Sequence, residues 1–206
     1  GGVAGVAGTY ETGARSVGGD AQQVVVRTGA VLRAPEIFLY AVDGGRGIVV
    51  EQGATLSTLG RGDVAQDART GLYYESISGA MLAVSNGLVN LLPPSNGAGT
   101  AVDVGGCIAD CAGMARLLSE GSIGASTNGA FTWRDTVQYG TRNLALSVSA
   151  VNMGSAEALA QAGAAGRLPP GMVLNQDVLG NLLRGNTALE APALESLILN
   201  LSLIHI

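Results

Sequence analysis

The fold of this chain is decided by Val24-Val25-Val26-Arg27-Thr28-Gly29-Ala30-Val31-Leu32, which recurs 24 residues later as Ile48-Val49-Val50-Glu51-Gln52-Gly53-Ala54-Thr55-Leu56. Five of the nine positions are identical, and a sixth pair, Val24 and Ile48, is β-branched in both copies. A fixed period of roughly 20 to 50 residues is typical of stacked-repeat proteins. The unit is a β-branched run, a glycine and a second apolar run without helical spacing, so it predicts stacked strands.

The composition favours the same architecture. Glycine makes up 32 of the 206 residues, where about 7% is usual. Hydrophobic residues are 47% of the chain, charged residues 13% and aromatic residues 4%. Low charge with high apolar content argues against disorder, and few large rings are available to build a compact core. Small and β-branched side chains suit a layered core, and glycine suits corners that need a positive φ.

Charge and hydropathy argue against nucleic-acid binding and against a transmembrane segment. The net charge is −5, and the 11 basic residues are all arginines without a basic stripe, so nucleic-acid binding is not expected. The sequence has no run of 18 apolar residues, so no transmembrane segment is expected.

The two ends suggest a fragment of a longer protein. Residues 1–6 show no initiator methionine and no signal peptide, and they resemble the middle of a chain. The tail 202–206 resembles a translated sequencing-adapter remnant, which would make His205, the single histidine, non-native. The alternative is an ordinary apolar strand over 197–206 that is cut at an arbitrary point.

Short apolar runs between Gly, Pro or polar breaks predict strands. The predicted strands are Val24–Val26, Val31–Arg33, Ile37–Ala41, Ile48–Val50, Leu56–Leu59, Met81–Ser85, Leu88–Leu92, Val102–Val104, Leu117–Ile123, Ala130–Trp133 and Leu144–Val151. Ile37–Ala41 is apolar on both faces, which predicts a strand covered on both sides. The glycine-rich and charged stretch 60–80 predicts a protruding loop, so the stack is an irregular solenoid.

Residues 155–192 change to a helical pattern. Ser155 is suited to cap an Ala-rich helix, and Asn175 can cap a second one. The second helix would bury a single stripe made of Val178, Leu179, Leu182 and Leu183. We therefore expect a stacked-strand segment over 1–154, a helical insertion or cap over 155–192, and a resumed strand or truncated tail over 193–206. The alternative is that residue 155 begins a separate small helical unit.

Cys107 and Cys111 are the two cysteines of the chain. In a secreted protein such a pair is most simply a local disulfide, and a tight loop brings two Cα atoms within the roughly 4.4–6.8 Å that a bridge requires. Two free thiols are the alternative. A zinc site needs about four ligands, so metal chemistry is not favoured.

Arg61-Gly62-Asp63 is the integrin-recognition tripeptide, and it lies in the predicted loop. A match of three residues carries a high false-positive risk. The alternative is that Gly62 turns the chain between two solvated charges.

Carboxylates are the groups through which an enzyme on this scaffold would act. A polysaccharide lyase or hydrolase needs two or three of them clustered on neighbouring coils. The aspartates considered are Asp20, Asp43, Asp63, Asp67, Asp103, Asp110, Asp135 and Asp177. Their irregular spacing favours solvated corner residues, and no Ser/His/Asp arrangement is available. We therefore expect no catalytic, cofactor-binding or metal-binding residue, and no enzyme.

Several stretches, in this order, carry a resemblance to a known family. They are 31–34, 36–37, 47–54, 82–87, 119–123, 139–144, 168–171 and 191–195. Together they resemble large secreted exoproteins of the filamentous haemagglutinin family, toward the C-terminal end of such proteins. The order of these stretches is more specific than any one of them.

This resemblance implies a right-handed parallel β-helix, exported from a Gram-negative bacterium through a partner outer-membrane transporter. It implies a structural and adhesive role at the cell surface, in adhesion, haemagglutination or biofilm formation, with host-cell or bacterial surface receptors as partners. It carries over no catalytic residue and no cofactor. The alternatives are a β-helical polysaccharide-active domain and the stalk of a contact-dependent toxin-delivery protein.

Overall fold

The computed structural model describes residues 3–6, 9–11, 23–64, 67, 74–75, 79–94, 99–184 and 187–201. Strands make up most of the regular structure in these residues, and most of their pairings are parallel. The chain is therefore all-β with a small helical part, as the repeat predicts. The predicted tail 202–206 and Asp20 lie outside the described residues.

The strands of the first half are β1 (Val3–Val6), β2 (Thr9–Glu11), β3 (Gln23–Val26), β4 (Val31–Arg33), β5 (Glu36–Ala41), β6 (Gly47–Glu51), β7 (Thr55–Ser57), β8 (Tyr74–Glu75), β9 (Ala80–Ser85) and β10 (Leu91–Leu92). The elements of the second half are β11 (Val102–Gly106), β12 (Arg116–Leu118), β13 (Ser122–Thr127), β14 (Phe131–Trp133), β15 (Gln138–Gly140), β16 (Asn143–Val148), β17 (Val151–Met153), α1 (Ala156–Ala164), β18 (Met172–Leu174), α2 (Gln176–Arg184) and β19 (Ser196–Leu201). A short 3₁₀ helix covers Thr187–Leu189.

Successive strands along the chain belong in turn to three different sheets. Sheet A has the order β1-β3-β6-β11-β14-β18-β17, sheet B the order β15-β12-β7-β4-β2, and sheet C the order β19-β16-β13-β9-β5. Each of the successive triplets β3-β4-β5, β11-β12-β13 and β14-β15-β16 places one strand in sheet A, one in sheet B and one in sheet C. Outside these sheets, β8 and β10 form a separate parallel pair.

The 24-residue echo is the register of the first strand pairs. Val24 pairs with Ile48 in sheet A, and Leu32 pairs with Leu56 in sheet B. Both pairings are parallel, so the two copies lie one above the other with every position matched. The prediction of stacked strands is confirmed for this part of the chain.

The core lies between the three sheets and is built from columns of like side chains. Sheet A stacks Val24, Ile48, Val102, Phe131 and Met172, and sheet B stacks Leu32, Leu56, Leu117 and Tyr139. Sheet C adds Ile37, Val84, Ile123, Leu144 and Leu197. Most of these side chains are fully buried, and burial of this kind contributes roughly 25 cal/mol per Å² of apolar surface.

One strand of sheet C runs against the others. β9 pairs antiparallel with β5 on one side and with β13 on the other. β9 therefore enters sheet C from the end opposite to that of its two neighbours. Alternation of side chains is the same in either direction, so Leu82 and Val84 still point into the core. The sequence pattern therefore predicted the strand but contained no signal for its direction.

The segment after β9 covers the outer surface of β9, β13 and β16 in the middle of sheet C. Val89 and Leu91 pack on Ala83, and the side chain of Leu91 fills the space where Gly124 has no Cβ. The hydroxyl of Ser147 donates to the Leu91 carbonyl at 2.6 Å. These contacts explain why small and hydroxylated residues occupy the outward positions of β13 and β16.

The two helices form where the sequence predicts them. Ser155 caps α1 by accepting from the Ala158 N–H, and Asn175 Oδ1 accepts from the N–H groups of Asp177 and Val178 at 3.0 Å each. α2 replaces the sheet B strand between β18 and β19 in chain order. The helices are thus inserted among strands that continue sheets A and C.

α2 closes one end of the core. Trp133 donates its indole N–H to Asn181 Oδ1 at 2.9 Å, and the hydroxyl of Tyr139 donates to the Leu182 carbonyl. The amide of Asn181 also donates to the carbonyl of Val137 at 2.9 Å. This helix therefore satisfies the polar atoms of the large aromatic side chains at the top of sheets A and B.

Several sequence predictions about local structure were wrong. Of the predicted strand Leu88–Leu92, only Leu91–Leu92 is a strand. Leu117–Ile123 is two strands, because the buried Ser119 hydroxyl and Gly121 form a corner between them. Likewise Leu144–Val151 is divided at residues 149–150. The outer face of Ile37–Ala41 is not covered, since Phe38 and Tyr40 are 36% and 45% exposed. Leu183 lies outside the apolar stripe of α2 at 60% exposure.

We predict that Gly47→Ala destabilises the fold more than Gly29→Ala. Both glycines have positive φ, +87° and +77°, which costs an L-residue about 1–2 kcal/mol. A Cβ at Gly47 would also lie 1.9 Å from the Ala101 carbonyl oxygen, whereas a Cβ at Gly29 meets nothing within 4 Å. Urea unfolding followed by Trp133 fluorescence should show at least about 1 kcal/mol between the two variants. Equal stabilities would contradict the close approach.

Candidate functional site

A buried carboxylate holds together the corner between sheets A and B. The side chain of Glu51 is 0% exposed, and Arg27 Nη1 lies 3.1 Å from its Oε1 atom. The Thr28 N–H donates to Oε2 at 2.9 Å, and the Ile108 N–H donates to Oε1 at 3.1 Å. Both oxygens are therefore satisfied by donors from two other turns of the chain, which is what a buried charge requires.

The sequence held a signal for this contact that was missed, because only aspartates were considered as functional carboxylates. The 24-residue echo aligns Arg27 with Glu51. Opposite charges at one repeat position lie one above the other when the copies stack in register. An ion pair across the stack follows directly from that alignment.

The loop that carries the cysteines lies on this corner. Cys107 and Cys111 form a disulfide with their Cα atoms 5.6 Å apart. Thr28 Oγ1 lies 3.3 Å from the Ala112 carbonyl oxygen, to which it donates. Gly53 lies beneath, and a Cβ there would be 2.2 Å from that same carbonyl oxygen. A glycine at this corner is thus required by the loop above it as well as by its φ of +80°.

A second group of carboxylates surrounds a cleft at the corner between sheets B and C. The cleft has a volume of about 260 Å³ and is lined by Gly62, Asp63, Val64, Asp67, Asn86 and Glu120. The Asn86 amide donates to the carbonyls of Thr58 and Gly62 at 2.9 and 2.8 Å, and the Gly60 N–H donates to Glu120 Oε1 at 2.8 Å. The described start of the predicted 60–80 loop is therefore tied to the body of the protein.

Glu36, the first residue of β5, lies beside the same corner. Its Oε1 atom is buried and has no hydrogen-bond partner among the described residues. Burial raises the pKa of Glu36 above its ordinary value of 4.5, a hydrogen bond with Ser85 partly offsets this, and the charge of Asp67 raises the pKa further. A carboxyl group with a raised pKa next to other carboxylates is the arrangement from which general acids are built.

The remaining aspartates are dispersed. Asp103 pairs with Arg134 at 3.0 Å, and Asp43, Asp110, Asp135 and Asp177 are exposed. Within the described part of the chain, no group of three or more His, Cys, Asp or Glu side chains is arranged to hold a metal ion. Among the same residues, no helix is long and apolar enough to cross a bilayer. Of the candidate aspartates that the structure describes, only Asp63 and Asp67 lie in one cleft.

Two residues of the integrin-type tripeptide, Gly62 and Asp63, line the cleft. Gly62 and Asp63 are exposed, Arg61 is partly buried, and the Arg61 N–H donates to the Thr58 carbonyl at 3.2 Å. The backbone thus turns at this point and presents Asp63 to solvent. This geometry is compatible with either role given to the tripeptide by the sequence.

Comparison with protein-family models, with curated proteins and with solved structures finds no match to this chain.

We predict that Glu51→Ala lowers the free energy of unfolding by about 3 kcal/mol, because it leaves two N–H donors and Arg27 without their acceptor. The matched control is Glu195→Ala. Glu195 lies 2.6 Å from Arg142, but both side chains are more than half exposed, so its loss should cost about 1 kcal/mol or less. Denaturant unfolding of the two variants provides the comparison. A similar small loss in both would mean that the buried corner contributes nothing special.

We predict that Glu36→Gln is more stable than the unmodified chain at pH 7 and that the difference shrinks on acidification. The pKa of Glu36 is higher in the folded state than its ordinary value of 4.5, so the ionised form opposes folding at neutral pH. This penalty decreases as the pH falls through the folded pKa, and it is gone below the unfolded pKa. Urea midpoints from pH 7 to about pH 4 test this. A constant difference over that range would contradict it.

Proposed function

We propose that this chain is a structural and adhesive segment of a large secreted bacterial exoprotein that resembles the filamentous haemagglutinin family. In this proposal the three sheets are the faces of an irregular right-handed parallel β-helix. The observation that carries it is the in-register stacking of strands 24 residues apart, seen in sheet A between Val24 and Ile48 and in sheet B between Leu32 and Leu56.

Two further features support a scaffold. Polar groups at the corners are used in contacts between strands: Glu51 binds Arg27 and two backbone amides. The disulfide between Cys107 and Cys111 is the kind of bond that persists outside the cytoplasm, which favours a secreted location. On the family analogy, export uses a partner outer-membrane transporter, and the ligands are host-cell or bacterial surface receptors.

A polysaccharide-active domain is the second candidate, and one observation favours it. Asp63, Asp67 and Glu120 line a single cleft. Glu36, whose pKa is raised, lies beside this cleft. A carboxyl group with a raised pKa close to other carboxylates is an arrangement that glycoside cleavage uses. None of the described residues that line the cleft is aromatic, and sugar rings usually contact aromatic side chains. The adhesive role therefore remains our proposal.

We predict that beads coated with the purified chain attach to epithelial cells more than albumin-coated beads do. If adhesion is spread over the surface of the scaffold, the Asp63→Glu variant should keep most of this attachment. This substitution alters the tripeptide and leaves its charge intact. Complete loss in Asp63→Glu would assign attachment to the tripeptide alone. Two results together would favour the enzymatic function over adhesion. The first is attachment no greater than that of albumin-coated beads, and the second is release of reducing sugar from a polysaccharide by the unmodified chain but not by Asp67→Asn.

A further inference from the structure

The disulfide loop is fastened to the corner at more than one point. The Ile108 N–H reaches the buried Glu51 carboxylate at 3.1 Å. Beyond the second cysteine, the Ala112 carbonyl accepts from the Thr28 hydroxyl at 3.3 Å and lies over Gly53. The five-residue ring therefore positions one donor for a buried charge, and its exit covers a corner formed by two earlier turns of the chain.

We propose that the Cys107–Cys111 disulfide is a redox-sensitive latch that holds this loop on the corner of residues 27–29 and 51–53. This inference does not depend on the proposed function. When a dithiol reductant opens the latch, the S–S bond takes up two electrons and two protons and becomes two thiols. The two thiols of the reductant become a disulfide in the same exchange.

The position of the loop gives a reductant access to the bond. Cys107 is exposed and Cys111 is partly exposed, and Ile108 at the tip of the loop is 48% exposed. Attack by a thiolate on a disulfide requires such access. The latch is therefore open to the redox state of the surroundings, in contrast to a buried structural bond.

Opening the latch should act locally, because the strands on either side of the loop are held independently. β11 pairs with β6 and β14, and β12 pairs with β7 and β15. A ring of five residues also restricts the unfolded chain much less than a long loop would. What the reduced loop loses is its fixed geometry, and with it the donor for Glu51 and the cover over Gly53.

The consequence of reduction is a change of surface at one corner of the stack. Glu51 keeps Arg27 and the Thr28 N–H as partners, while water replaces Ile108. A carboxylate oxygen and the backbone around Gly53, which the loop covers in the oxidised form, then become accessible. The corner thus has a closed form and an open form that the thiol–disulfide state selects.

Hydrogen exchange of the full chain, with and without dithiothreitol, tests the latch. Reduction should accelerate exchange of the Ile108 and Ala112 amides, whose acceptors lie on the corner, on the order of tenfold or more, and leave the β13 amides within about twofold. Unchanged exchange at Ile108 would overturn the proposal. Acceleration that extends to β13 would overturn it as well, because the disulfide would then stabilise the whole fold.

Two variants make the test independent of the reductant. Cys107→Ser combined with Cys111→Ser should show the fast exchange of the reduced chain without dithiothreitol and should not respond to it. Ala109→Ser, a matched serine substitution inside the ring, keeps the disulfide and should behave as the unmodified chain does. A double variant that exchanges like the oxidised chain would show that the loop holds the corner without the bond, and the latch would be refuted.

Discussion

In-register pairing between strands of successive turns is the constraint on which the rest of this structure depends. Once Val24 lies over Ile48, every other position of the two copies is also matched. Apolar side chains then form columns, glycines with positive φ meet at the corners, and Arg27 comes to lie against Glu51. A shift of one residue would turn each column to the outside and would separate the charges, so core and corner enforce the same register.

The part of the fold that repeats was predictable, and the parts that depart from the repeat were not. The echo specified both the stacking and its 24-residue register. The direction of β9 left no trace, because an alternating strand has the same pattern in both directions. The corners at Ser119 and near Ser149 were also hidden, since a hydroxyl that bonds to a neighbouring turn allows the chain to bend without a glycine or proline at that residue.

The candidate sites were likewise predictable only in part. The disulfide was predicted because Cys107 and Cys111 are the two cysteines of the chain. Asp63 and Asp67 were named, but Glu36 and Glu120 were not, because the cleft unites residues far apart in sequence. Their meeting depends on β9, which runs backwards and brings Asn86 to the corner where β5 begins and β13 is about to begin. No local pattern records a contact that arises from a reversed strand.

The cleft and the disulfide loop, unlike the Arg27–Glu51 corner, lie largely in residues added between turns. Along sheet A, Val24 pairs with Ile48, Ile48 with Val102, and Val102 with Phe131, so that the separations are 24, 54 and 29 residues. The shortest turn contains the stacked strands, the Arg27 corner and Glu36. The longest contains the reversed strand and most of the cleft, and the third contains the disulfide loop and Glu120. Columns of Val, Leu and Ile supply stability in every turn but offer no group that reacts or binds. A stacked scaffold of this kind can therefore gain or lose a site through an inserted segment, while the register of the turns on either side stays the same.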